Sequence, residues 1–184
     1  MQRLFNREGF YFKSLVKPKE YLLKKGFCRC MSEMASIFTK IPEALSTALE
    51  IVLSMRDSVE LLTKITSVRT LPACVDLEAL EQLYVQAVMD LGYNCPDIFS
   101  EQDVFTLKNH LVTYSGAISN RNLQNLMESL CFICTRQKTR QFLPDVIRIP
   151  IDFITQIPQE AIASTDQNHL MKLILMLTGA IKAF

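Results

Sequence analysis

The sequence predicts an all-α protein, a helical bundle or short α-solenoid of about six to eight amphipathic helices. Three observations carry this. Leu, Ile, Ala and Met fill the stretches between turn signals, whereas the chain holds only five Gly and seven Pro and no Trp, a mixture that favours helices. Apolar residues recur at alternating steps of three and four, which lines one face of a helix. No segment of useful length alternates apolar and polar residues with period two, so no sheet is expected. With 184 residues, 49% of them hydrophobic, the chain has ample apolar side chain for one core.

The first thirty residues stand apart by charge. They carry eight basic residues (Arg3, Arg7, Lys13, Lys17, Lys19, Lys24, Lys25, Arg29) against Glu8 and Glu20, which leaves twelve basic and seventeen acidic residues for the remainder. We therefore divide the chain into residues 1–30, a basic N-terminal extension or targeting segment, and residues 31–184, a single all-α domain. One reading of 1–30 is a mitochondrial targeting helix, with Leu4, Phe5, Phe12 and Leu15 opposite the basic residues. The other is an ordinary first helix packing its aromatics on the body, and the two acids and few Ser favour it. Met31, which opens "MSEMASIF", is also a candidate alternative start.

From Pro42, "IPEALSTALEIVLSMRDSVELLTKI" places Leu45, Ala48, Val52, Met55, Val59 and Leu62 on one helical stripe. Proline suits the first turn, and Asp57 with Glu60 has the spacing of a capping box that would split the segment near Arg56. The next helix follows Asp76, with Leu77, Leu80, Tyr84, Ala87 and Leu91 on one side and Gly92 as its expected stop. Ser100 and Asp103 predict a capped helix with Val104, Leu107, Leu111 and Tyr114 apolar and Gly116 just past its end. Ser119 then opens "NRNLQNLMESLCFICTRQ", joined by so short a loop that the two should form an antiparallel hairpin. In "LPDVIRIPIDFITQIPQEAIAS", Pro144, Pro150 and Pro158 are each followed by an acid (Asp145, Asp152, Glu160), which predicts a string of one- or two-turn helices. Ser164 and Gln167 fit a capping box before "NHLMKLILMLTGAIKAF", a strongly apolar helix that Gly179 would end or kink and that must be largely buried.

The six cysteines are Cys28, Cys30, Cys74, Cys95, Cys131 and Cys134, and the N-terminus lacks an uninterrupted apolar h-region. Reduced thiols in an intracellular protein, cytoplasmic or nuclear with mitochondrial as the alternative, are expected. Cys131 and Cys134 form a Cys-x-x-Cys, but about twelve residues inside a helix. A redox pair draws its low pKa from a helix N-terminus, and a zinc knuckle needs a tight turn. Neither is present, so joining Cys28 and Cys30 to this pair around zinc is disfavoured. Buried thiols acting as small hydrophobes are expected instead.

His110 and His169 are the two histidines, and neither sits in a catalytic motif. Phosphate-loop, dinucleotide, zinc-protease and serine-hydrolase signatures are absent. The acid pairs Glu78 with Glu81 and Glu101 with Asp103 lie at helix starts, where the helix dipole accounts for them. The expectation is therefore a non-enzymatic chain with no cofactor and no metal. The run "LMKLILMLTGAI" is interrupted by Lys172 and too short to span a bilayer. Arg136, Lys138 and Arg140 follow a helix end, where cations offset the dipole, or else form a basic interaction patch.

Successive amphipathic helices joined by short loops, as in residues 100 to 137 with "NLQNLMESLCFICTRQ", resemble armadillo or HEAT-type helical repeats. The proline-punctuated stretch from 143 loosely resembles the short-helix strings of mesothelin and otoancorin-type solenoids. The resemblance implies a protein-protein interaction scaffold or adaptor whose partners are other proteins. The alternative is a mitochondrial RNA-associated or assembly factor. The acidic body makes nucleic acid the less favoured partner.

Overall fold

Two helix starts follow from local capping chemistry. The computed structural model describes residues 18–57, 59, 76–155 and 167–184. Among them the chain forms helices α1 (Pro18–Glu33), α2 (Leu45–Leu53), α3 (Leu77–Asn94), α4 (Glu101–Tyr114), α5 (Asn120–Cys134), α6 (Leu143–Thr155) and α7 (Gln167–Lys182), and no strand. Asp76 caps α3 by accepting from the Ala79 backbone N–H at 3.0 Å. Ser100 and Asp103 close a complete capping box at α4, with the Asp103 N–H donating to Ser100 Oγ and the Ser100 N–H to the Asp103 carboxylate. Such a cap stabilises a helix by about 1 kcal/mol.

Four sequence expectations change. The stripe from Pro42 does split, but at Ser54, whose Oγ donates back to the Ile51 carbonyl at 2.7 Å. Residues 55–57 are helical again, and the Asp57 carboxylate accepts from Tyr114; Glu60 and Leu62, and with them the expected capping box, lie outside the described residues. Helix α3 runs past Gly92 to Asn94. Helix α6 keeps thirteen residues with Pro150 inside it, so the expected string of short helices is one helix here; Pro158, Glu160 and Ser164 lie outside the described residues. Helix α7 likewise continues through Gly179 to Lys182.

Both glycines mark close approaches. A Cβ at Gly92 would come within 2.4 Å of Ser129 Oγ, and one at Gly179 within 2.4 Å of the Gln124 carbonyl oxygen. Helix α5 is thus clasped by α3 on one side and α7 on the other, with backbones nearer than side chains at those points permit. Neither glycine has positive φ, so space and not backbone strain selects it.

The helices fall into two layers. In one, α1 packs on α3, α3 on α5 and α5 on α7, the last being the widest interface. The other contains α2, α4 and α6, with α2 against α3 and α4, α4 against α5, and α6 against α5 and α7. Lys108 on α4 pairs with Asp145 on α6 at 3.5 Å. This stacking of neighbour upon neighbour is compatible with a helical-repeat fold. One apolar cluster runs through it from Cys28 and Phe38 to Met176 and Ala180. Helix α1 passes residue 30 without a break, and its Tyr21 and Cys28 are buried.

Polar groups tie packed elements together at two places. The buried Glu81 of α3 accepts from the Ser119 N–H and the Asn122 side chain, both at 2.9 Å, and so holds the start of α5. The buried Lys172 of α7 donates to the Ser115 and Gly116 carbonyls at 3.0 and 2.5 Å, placing a cation on the C-terminus of α4.

Candidate functional site

Helix α7 has two apolar sides, and only one is covered. Lys172, Met176, Gly179 and Ala180 face inward and are buried. Taking Met176 as zero at 100° per residue, Leu170, Ile174, Leu177 and Ile181 lie about 100 to 160° round the helix, and Phe184 follows two residues past its end. Their exposures run from 37% at Leu177 to 74% at Ile181, and Met171 beside them is also exposed. Water is a poor neighbour for five aligned large apolar side chains, and such a surface ordinarily marks an interaction site. The sequence reading expected this helix to be largely buried; the structure buries one side against α5 and leaves the other open. The signal was present in the spacing 170, 174, 177, 181, 184, a second stripe beside the first.

Of the three basic residues Arg136 is half-buried, while Lys138 and Arg140 are exposed. Arg136 stacks on Phe132, with the guanidinium carbon 4.7 Å from the ring centroid, and its Nε lies 3.9 Å from Asp97. Phe132 in turn lies 4.7 Å, centroid to centroid, from Tyr93, whose hydroxyl donates to Glu128 at 2.5 Å. Arg136 is therefore a structural strut at the C-terminus of α5. Lys138 and Arg140 are exposed on the connection to α6. Between them sits Thr139, fully buried, its hydroxyl donating to the Ile133 carbonyl at 2.6 Å.

His110 lies in a buried polar cluster between α3, α4 and the helical residues 55–57. Its ring meets Tyr84 edge-on at 5.9 Å and Tyr114 at 4.8 Å, and the Arg56 guanidinium sits 5.3 Å from the Tyr114 ring. The Tyr114 hydroxyl donates to Asp57 at 2.6 Å. Arg56 Nε, the Tyr84 hydroxyl and His110 Nε2 are buried without a hydrogen-bond partner. Desolvation drives the His110 pKa down to about 4 and raises that of Tyr84. The imidazole is therefore neutral and walled off from solvent, a poor place for a proton to be exchanged with a substrate. The side chain of His169 lies outside the described residues.

Cys131, Cys134, Cys28 and Cys95 are buried as free thiols. Burial lifts the first two to pKa about 12 and the others to about 11, so all four remain thiols near neutral pH. Cys30 is exposed, and Cys74 lies outside the described residues. Among the described residues no three His, Cys, Asp or Glu side chains gather as metal ligands would. A groove of about 380 Å³ opens between α4 and α6, lined by Lys108, Val112, Ser115, Asp145, Arg148, Ile149 and Asp152. Its charges are matched in place, Lys108 by Asp145 and Arg148 by Asp152, which leaves no net field to draw a charged ligand. No described helix is long and apolar enough to cross a membrane.

Layered stacking and an uncovered apolar flank on its last helix define an all-helical protein, compatible with a helical repeat, that presents one helix side to its surroundings. No protein-family model, curated protein or solved structure matches the chain.

Proposed function

We propose that this chain is a non-enzymatic protein-interaction scaffold of the armadillo or HEAT-like kind, and that the outer side of α7 is its docking face. The observation that carries the reading is the exposed stripe Leu170, Ile174, Leu177, Ile181 and Phe184. Large apolar side chains aligned along one side of a helix and open to water ordinarily mark an interaction surface, and the outer side of α7 is such a side. The buried, neutral His110 and the protonated core thiols support a non-enzymatic role, because neither is reached from the surface in a reactive form.

A photoreactive residue placed at Ile174 in the full chain tests this in cells. Protein adducts should form there, should be lost when Ile181→Glu is added, and should be absent when the probe sits at the exposed Thr113 of α4. Adducts indifferent to the probe's position, or none at Ile174, would overturn the reading.

A further inference from the structure

We infer that the occupant of this face is a second copy of the chain, paired through α7 in antiparallel fashion about a two-fold axis at Leu177. The inference rests on the docking reading above and narrows it to one partner. Four observations support it.

The first is period. The exposed positions 170, 174, 177, 181 and 184 are separated by four, three, four and three residues, the repeat with which one helix meets another knob into hole. The second is self-complementarity. A two-fold interface requires that a surface match itself turned around, and this stripe does so. Leu177 sits at its centre, Leu170 and Phe184 lie seven residues to either side, and Ile174 and Ile181 lie three and four. Turning one helix about Leu177 sets Leu177 against Leu177 and brings Ile174 to within one residue's rise, about 1.5 Å, of Ile181, with Phe184, just past the helix end, toward Leu170. Every pair is apolar and large.

The third is charge. The stripe contains no charged residue, and Lys182 is the exposed cation beside its end. Parallel pairing would set two Lys182 side chains together and align both helix dipoles. Antiparallel pairing moves the lysines to opposite ends and opposes the dipoles. The fourth is area. The exposed apolar surface of the stripe is on the order of 600 Å² per copy, so that complete burial on both copies would remove roughly 1,200 Å², the lower edge of the range for specific interfaces.

Sedimentation velocity on the full chain across the micromolar range tests the pairing. The wild type should shift from one to two chain masses with rising concentration. Ile174→Glu combined with Ile181→Glu should weaken that self-association at least about tenfold, with helical circular dichroism unchanged. Because charged variants also risk misfolding, a second measurement uses Leu177→Cys in a Cys30→Ser background. Mild oxidation should yield a covalent dimer, since the two sulfurs meet on the axis, whereas Ile151→Cys on α6 should stay single. A chain that remains single at every concentration and forms no Leu177→Cys dimer overturns the inference. If Ile174 still captures another protein under those conditions, the docking reading survives and only the second-copy assignment falls; if it captures none, both fall.

Discussion

Burial of the His110 imidazole beside Tyr84 and Tyr114 holds its pKa near 4, with Asp57 pulling it up and Arg56 pushing it down, against 6.5 for the free side chain. Between those two values the unfolded chain binds a proton that the folded chain refuses. The stabilisation is complete above about pH 6.5 and is lost as the pH falls toward 4, by up to about 3 kcal/mol. Urea denaturation at a series of pH values should show that slope, and His110→Leu should flatten it; an equal slope in the variant would assign the acid sensitivity elsewhere. Tyr84 makes the opposite kind of case. Its hydroxyl is buried without a partner, so Tyr84→Phe forfeits no hydrogen bond and relieves a desolvation cost. The variant should equal or exceed the wild type in stability by up to about 1 kcal/mol. Lys172 lies between these extremes in burial but not in partners. Lys172→Met deletes the donors to Ser115 and Gly116 and should cost about 2 kcal/mol in the same measurement, the worth of a charged hydrogen-bonding group.

At the scale of single helices, propensity and packing pull in opposite directions at Gly179. Alanine inside a helix is favoured over glycine by roughly 1 kcal/mol, yet a Cβ there would lie 2.4 Å from the Gln124 backbone oxygen, which no side-chain rotation relieves. We expect Gly179→Ala to destabilise by about 1 to 3 kcal/mol by forcing α7 away from α5. A thermal midpoint at or above the wild-type value would show that the two helices are less closely pressed than the structure has them. The same position shows what was legible in the sequence. Caps at Asp76 and at Ser100 with Asp103 were read correctly because their chemistry is confined to three or four consecutive residues. Gly92 suggests a helix end and Gly179 an end or kink, because a glycine kept for a close neighbour, the Ser129 side chain at Gly92 and the Gln124 backbone at Gly179, looks, locally, like a glycine kept for a stop. Pro150 was read as the start of a helix, since nothing nearby in sequence reveals that its surroundings in α6 keep the helix going. The helix dipole accounts for Glu81 from sequence alone, and its partners Ser119 and Asn122, about forty residues away, leave no local sign.

The assembled molecule treats the two apolar sides of α7 differently, and that difference is measurable. Periodicity reports that a side chain is apolar, not whether anything covers it, which is why the open side of α7 could not be told from the closed one before the layers were seen. Met176, wholly buried against the core, should cost about 2 to 5 kcal/mol when cut to alanine. Ile174, two residues away on the opposite side of the helix and half exposed, should cost a dilute single chain no more than about 0.5 kcal/mol on becoming serine. Pairing changes that balance, because whatever binds only the folded form raises its apparent stability by mass action. The wild-type melting temperature should therefore climb as protein concentration rises, while that of Ile174→Glu with Ile181→Glu should not, and the two curves should converge on dilution. Convergence separates a surface that stabilises by meeting its own copy from one that stabilises by folding back on the chain, since only the former depends on how much protein is present.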